Sequence, residues 1–447
     1  MGKYFGTDGV RGVANDTLTL EMAYNIGRYL GNYAKSIGEG KIVIGKDTRL
    51  SSSAFENILS SGISASGSDA YQIGYCSTPC LAFVAQNDKF DLGVMISASH
   101  NPYYDNGIKV FSNDGVKFKE EILLKVEEYM DNPVGIEYAK GEDIGQIYSY
   151  QTEGLNSYKD WLKKLYPSNL SKYNVLIDCA NGSNSHIAYP ILLDLGCNVT
   201  AINANPNGIN INNGCGSTHL ESLKQEIVKG NYDIGFAFDG DADRVQAVDS
   251  NGNELNGDLI MYVLAKYLKA NNMLSNDTVV VTGYSNVGLH KALNKLGIKT
   301  DIVDNGDKYV LESMLKNNFD LGGEQSGHII IKKDCNFGDG LKTALCLLNA
   351  LSSTNQTVQE AVKEVTIYPQ LLVNQKVTDK NNVLNDTDIK NKIDEIKTLL
   401  DGNGQILVRA SGTEPLIRVM VEAENDDLCN KYVYEVIDLI KEKGYAI

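Results

Sequence analysis

Short β-rich runs alternate with longer stretches of helical periodicity along most of the chain, and that order admits few folds. The apolar runs at 41–45, 91–96, 174–178, 233–238 and 278–283 are spaced by helical patterns such as 20–34, 52–66, 186–195, 287–296 and 307–316. A strand that is nearly all apolar must be covered on both faces, and intervening helices supply the cover, so three successive α/β units with parallel or mixed sheets are expected. After Pro369 the order becomes strand, helix, strand, strand, helix (371–377, 388–400, 405–409, 416–422, 427–443), the pattern of a smaller α+β domain. A chain of 447 residues exceeds one ordinary hydrophobic core. The expected division is 1–150, 151–255 and 256–368 for the α/β domains and 369–447 for the last, arranged around a central cleft.

Charge narrows the partners. The formal net charge of −16 opposes nucleic-acid binding, which needs clustered Lys and Arg. No run of 18 apolar residues occurs and residues 1–11 carry no apolar signal segment, so a cytoplasmic protein with no membrane partner is expected. The eight cysteines form no CxxC pair and read as buried free thiols. Arginine is scarce: six, at 11, 28, 49, 244, 409 and 418, against 35 lysines. All but Arg28 fall in Gly-, Asp-, Ser- or Thr-rich segments, as sites needing a planar bidentate fork would require, with phosphate the natural ligand.

Four loops carry the chemistry. The first follows the strand ending at Ile96 and contains Ser99 and His100, with Lys109 beyond; a serine hydroxyl at a strand end beside a base can carry a covalent phosphate. The second, Asp239-Gly240-Asp241-Ala242-Asp243-Arg244, places three hard oxygen donors in alternation, which an extended chain would hold on one side. It is not an EF-hand, since Arg244 and Ser250 stand where that loop needs Gly and Glu. The third, Gly322 to His328, offers Glu324 and Ser326 to sugar hydroxyls and His328 as a group that titrates near neutrality. The fourth joins Arg409, Ser411, Gly412 and Thr413 with Arg418 on the next strand, a cradle for a phosphate. No Walker A or GxGxxG sequence is present.

In this order, over the whole chain, the four loops resemble the α-D-phosphohexomutase family. The opening Tyr4 to Gly12, the Gln325 variant of the third loop, and the Asn210-Ile211-Asn212 stretch leading to Cys215-Gly216-Ser217-Thr218 are most similar to the branch acting on glucosamine phosphates. The resemblance implies a mutase, an isomerase that interconverts glucosamine 6-phosphate and glucosamine 1-phosphate and feeds UDP-N-acetylglucosamine and cell-wall precursor synthesis. It further implies a phosphoserine at Ser99, one Mg²⁺ held by Ser99 and Asp239, Asp241 and Asp243, and a bound bisphosphate. Glucosamine 1,6-bisphosphate or a similar hexose bisphosphate would be the phosphorylating activator. Arg11, Lys109 and Arg244 would neutralise the moving phosphoryl group. His100, Lys109 and His328 are the acid/base candidates. Glu324 and Ser326 would hold the sugar, and Arg409, Ser411, Gly412, Thr413 and Arg418 the non-reacting phosphate. The partner is a small hexosamine phosphate, and a homodimer is compatible with the sequence. The rival readings are a phosphomannomutase/phosphoglucomutase, told apart by the sugar turned over, and a noncatalytic sugar-phosphate binder, told apart by turnover itself.

Overall fold

A computed structural model describes residues 2–6, 8–166, 170–333, 335–411 and 414–447. Four sheets follow one another along the chain. The first holds β1 (Phe5–Gly6), β2 (Gly9–Val13), β3 (Lys41–Lys46), β4 (Asp69–Tyr75), β5 (Leu92–Ile96), β6 (Asp105–Ser112) and β7 (Ile147–Ser149), in the spatial order β1-β2-β6-β5-β3-β4-β7. The strands β5, β3, β4 and β7 run parallel, while β6, β2 and β1 add an antiparallel edge. Every residue of β5 is buried, which is why its sequence is continuously apolar.

The second sheet contains β8 (Asn174–Asp178), β9 (Asn198–Ile202), β10 (Ile234–Phe238), β11 (Val245–Asp249) and β12 (Glu254–Leu255), ordered β12-β11-β10-β8-β9. In the third, β13 (Thr278–Thr282), β14 (Lys299–Val303), β15 (Leu321–Gly323) and β16 (Ile329–Ile331) are ordered β14-β13-β15-β16. The fourth is wholly antiparallel, with β17 (Gln370–Lys376), β18 (Gln405–Ala410) and β19 (Leu416–Glu422) ordered β17-β19-β18 under the helices Thr387–Leu400 and Asp426–Glu442. Three mixed α/β domains and a C-terminal α+β domain are therefore the architecture.

One continuous apolar core runs through the second and third sheets and reaches the first around Cys80, Leu81 and Phe83; the C-terminal domain has its own, centred on Ile417, Val419 and Val436. All eight cysteines are buried free thiols. Among the described residues no helix is long and apolar enough to cross a membrane. Where the sequence predicts one helix over 186–195, a 3-10 turn at Ser183–His186 precedes the helix Ala188–Asp194. Pro190 lies in that helix's first turn, where the missing N–H costs no internal bond.

Candidate active site

The Ser99 loop leaves the C-terminal end of β5, and its backbone is held in a conformation that serine rarely adopts. Ser99 has φ 52°, in the left-handed region. Its N–H donates to Ser97 Oγ at 2.9 Å, while its carbonyl accepts from Arg49 and from Asn212 Nδ2, each at 2.9 Å. Arg49 is fully buried and also donates to the carbonyls of Pro102, Asn101 and Asp105 and to Asp47. This guanidinium is committed to the loop's own backbone, which corrects its reading as a phosphate fork.

The carboxylate loop leaves the end of β10 in the second domain. Extended alternation is not how its acids meet: the segment is a tight turn, with the Ala242 N–H donating to the Asp239 carbonyl at 3.0 Å and Ala242 at φ 59°. A turn brings the three side chains together because the chain reverses beneath them. Oxygens of Asp239, Asp241 and Asp243 all lie within 4.8 Å of one another, and all three residues are buried. Gly240 must lack a side chain, since a Cβ there would stand 2.6 Å from the Ser99 carbonyl oxygen. The two loops are thus in contact, and the Ser99 hydroxyl donates to Asp239 Oδ2 at 2.7 Å.

Electrostatics show what this cluster lacks. Burial and the charges of Asp243 and Asp241 push the Asp239 carboxyl well above the usual carboxylate range, against Arg244 and the Ser99 hydroxyl. Asp241 Oδ1 and Asp243 Oδ1 are buried without a hydrogen-bond partner. Three hard oxygen donors, two of them with an orphaned atom, fit a small divalent cation such as Mg²⁺.

Cations ring the cluster. Lys109, on β6, donates to Asp241 Oδ2 at 2.8 Å and pairs with Asp8 at 2.9 Å and Asp243 at 3.9 Å. Burial opposes its charge, but Asp241, Asp8 and Asp243 outweigh burial and hold the ammonium above its ordinary pKa. Arg11 pairs with the same oxygen of Asp8, Oδ2, as Lys109 does. Arg244 Nη1 lies 3.4 Å from His100 Nδ1, which is itself 3.4 Å from Ser99 Oγ. Burial, then Arg244 and Arg11, push His100 down to about 4, so its imidazole is neutral near pH 7.

His328 arrives from the third domain, its ring nitrogens 3.6 Å from Asp243 and 3.7 Å from Asp307. Burial alone would lower its pKa; Asp243, Asp307 and Glu324 raise it to about 8. The preceding loop is stitched to its surroundings, with Glu324 Oε1 accepting from Gly306 N–H at 3.1 Å and the Gln325 carbonyl from Gly257 N–H at 3.0 Å. Ser326 is exposed beside them.

The fourth loop forms a second cluster. Arg409 on β18 and Arg418 on β19 are direct cross-strand partners, so both guanidiniums stand on one face of the sheet. Like charges opposite each other destabilise a ladder unless an anion joins them. Arg418 Nε is buried with no partner, while Arg409 Nε donates to Tyr284 Oη at 3.0 Å. Ser411 turns its hydroxyl into the loop, accepting from Glu414 N–H at 3.3 Å. Gly412 and Thr413 lie outside the described residues. Among the described residues no hydrogen bond or ion pair joins this cluster to the Ser99 centre.

Several neighbours escape a reading of the sequence. Thr78 Oγ1 donates to Asp241 Oδ2 at 2.5 Å, and Lys117 bridges Asp8 at 2.6 Å to Asp307 at 2.5 Å, joining the first domain to the third. Asp8 gathers Arg11, Lys109 and Lys117. It lies in the opening stretch that carries the family resemblance; nothing local marks Thr78, Lys117 or Asp307.

The chain matches four family models in order, described as phosphoglucomutase/phosphomannomutase alpha/beta/alpha domains I (residues 2–134), II (156–252) and III (256–368) and the C-terminal domain (372–439). It is 47% identical over 451 residues to phosphoglucosamine mutase of Lachnospira eligens, covering 100% of both chains. Its fold matches a phosphoglucomutase/phosphomannomutase family protein of Burkholderia thailandensis with TM-score 0.80 at 21% identity, covering 99% of this chain and 98% of that one. It also matches Aspergillus fumigatus N-acetylphosphoglucosamine mutase in complex with GlcNAc-6P and magnesium, with TM-score 0.71 at 18% identity, covering 98% and 96%.

Proposed function

The chain belongs to the phosphoglucomutase/phosphomannomutase family, and from that membership we propose that it interconverts glucosamine 6-phosphate and glucosamine 1-phosphate through a phosphoserine at Ser99. One observation carries the mechanism: the Ser99 hydroxyl of the first domain sits 2.7 Å from Asp239 of the second, amid three carboxylates and a ring of cations. In this reading residues 1–150 carry the nucleophile, 151–255 the metal ligands, 256–368 the sugar contacts and 369–447 the remote phosphate anchor.

Phosphoryl transfer needs positioning and charge neutralisation more than covalent assistance. Asp239, Asp241 and Asp243, with an oxygen of the Ser99 phosphate, would hold Mg²⁺, which when bound neutralises charge on the phosphoryl group. Arg11, Lys109 and Arg244 add fixed positive charge. Lys109, paired with Asp241, Asp8 and Asp243, brings a positive charge to the cluster. The phosphate passes from Ser99 to the free sugar hydroxyl: the Ser99 O–P bond breaks, a sugar O–P bond forms, the sugar hydroxyl proton leaves to a base and the Ser99 oxygen takes a proton from an acid, with His100, Lys109 and His328 the candidates for the two roles. The bisphosphate then turns over, and its other phosphate returns to Ser99. Glu324 and Ser326 hold the sugar in both orientations, and Arg409 and Arg418 bind whichever phosphate is not reacting.

The test is turnover by purified protein with Mg²⁺ and glucosamine, glucose and mannose phosphates. Glucosamine phosphate is expected to be preferred, a phosphopeptide containing Ser99 to be found, and Ser99→Ala to be inactive. Equal or better efficiency on mannose 1-phosphate would move the chain to the rival branch, and a fully active Ser99→Ala would end the phosphoserine mechanism.

A further inference from the structure

The segment that follows β13, residues 284–287, is a main seat of the C-terminal domain on the third, with Lys291 Nζ donating to Asn403 Oδ1 at 2.5 Å beside it. Gln370 Nε2 donates to the Tyr284 carbonyl at 3.1 Å and Gln405 Nε2 to the Ser285 carbonyl at 2.9 Å. The Val287 N–H donates to Glu422 Oε1 at 2.6 Å. All three strands of the last sheet therefore hold this segment by its backbone. The one side chain that crosses from it toward the arginine pair is Tyr284. Its hydroxyl accepts from Arg409 Nε at 3.0 Å, and the Arg409 guanidinium carbon lies 4.7 Å from the ring centroid.

An arginine on an exposed strand end samples many rotamers, and a guanidinium facing a second one is repelled from it. Two separate attachments, a hydrogen bond at Nε and a ring beneath the plane, select one orientation in which the two terminal nitrogens can form a fork. Arg418, its cross-strand partner, has no such holder at Nε. We propose that Tyr284 is the positioning residue for Arg409: it sets the guanidinium for the non-reacting phosphate and ties that setting to the seat of the C-terminal domain. This rests on the mutase reading above and adds a residue from the opposite side of the joint.

Tyr284→Phe removes the acceptor and keeps the ring, whereas Tyr284→Leu removes both. The side chain is half-buried, and both variants are expected to melt near the wild-type temperature. For Tyr284→Phe, KM for glucosamine 1-phosphate and glucosamine 6-phosphate should rise about three- to tenfold, the worth of one ordinary net hydrogen bond. Changes in kcat should stay below about twofold, since the contact acts on binding of both regioisomers rather than on the transferring group. Released hexose bisphosphate should increase, Ser99 should phosphorylate as in wild type, and Tyr284→Leu should be worse on every count. Because Tyr284 acts through Arg409, adding Tyr284→Phe to Arg409→Lys should change KM no further. A wild-type KM in Tyr284→Phe, a lowered KM, or effects that multiply in the double variant would overturn the proposal. An Arg409→Lys enzyme indistinguishable from an active wild type would overturn it by removing the anchor itself. A wild-type protein that turns over no hexosamine phosphate would instead sink the mutase reading, and this role with it.

Discussion

At Ser99 the backbone carries a conformational cost that the surrounding residues must sustain, and Arg49 restrains it through the carbonyl of the serine and three that follow it. Arg49→Lys keeps the charge but cannot reach four carbonyls and Asp47 at once. It should lower kcat at least about tenfold and destabilise the fold by about 2–4 kcal/mol, because a buried fork is lost and its acceptors are orphaned. Denaturant unfolding and single-turnover transfer would measure the two effects; a variant equal to wild type in both would show that the loop holds itself. The carboxylates make a different demand. Removing divalent metal should stop turnover and Mg²⁺ should restore it, while Asp241→Asn should require at least about tenfold more metal for half activity, as loss of one charged ligand does. Activity indifferent to thorough chelation would remove the metal assignment. The scarcity of arginine pointed to unusual sites, yet composition could not say what each guanidinium binds. Arg49 meets backbone carbonyls, Arg11 meets a carboxylate, and Arg409 and Arg418 face each other across a ladder.

Elements were legible where burial dictates the residue type and obscure where contacts are distant. The fully buried β10 and the buried β19 both read directly from their apolar runs, and the 3.6-residue stripe placed Leu20–Ile37 and Ser52–Ala65. Loop conformation was less legible: alternating acids suggested an extended strand end, whereas a left-handed Ala242 and a Gly240 pressed on Ser99 make a turn. Contacts such as Lys109 with Asp241 and Thr78 with Asp241 join residues 132 and 163 positions apart, so no spacing in the sequence announces them. The third loop shows how one element's geometry reaches the site. Gly327 has φ +90°, and a Cβ there would sit 2.1 Å from the Val245 carbonyl oxygen. Gly327→Ala is expected to cost about 1–3 kcal/mol in stability and to raise KM, since relief of the clash must shift Ser326 and His328. Denaturation midpoints and KM in both directions would check it; an unchanged KM would separate this loop from sugar binding.

Across the whole molecule, the joint between the last two domains contains two carboxylates that water does not reach. Asp258 and Glu422 are both fully buried. Asp258 accepts from the Asn286 N–H and Glu422 from the Val287 N–H, both at the start of the helix Val287–Lys295. Burial raises Asp258 to about 6, against the Asn286 N–H and the Ser285 hydroxyl. Burial also raises Glu422 to about 7, with Asp258's charge adding to it and Val287, Gln405 and Gln370 opposing. The sign follows from proton counts. Between the ordinary values of 3.8 and 4.5 and these raised ones, the folded protein binds more protons than the unfolded chain, so its stability falls as pH rises. Well above 7 both groups are ionised in both states and the loss is complete. Glu422→Gln keeps an acceptor for Val287 and removes one titration. The variant should be close to wild type at pH 5, where the native side chain is already neutral, and more stable than wild type at pH 8, by about 1–3 kcal/mol for a shift of this size. Thermal or denaturant unfolding at the two pH values measures that difference of differences. Greater destabilisation of Glu422→Gln at pH 8 than at pH 5 would mean that the ionised carboxylate, held by the helix start and two glutamine amides, is the form on which the C-terminal domain is seated.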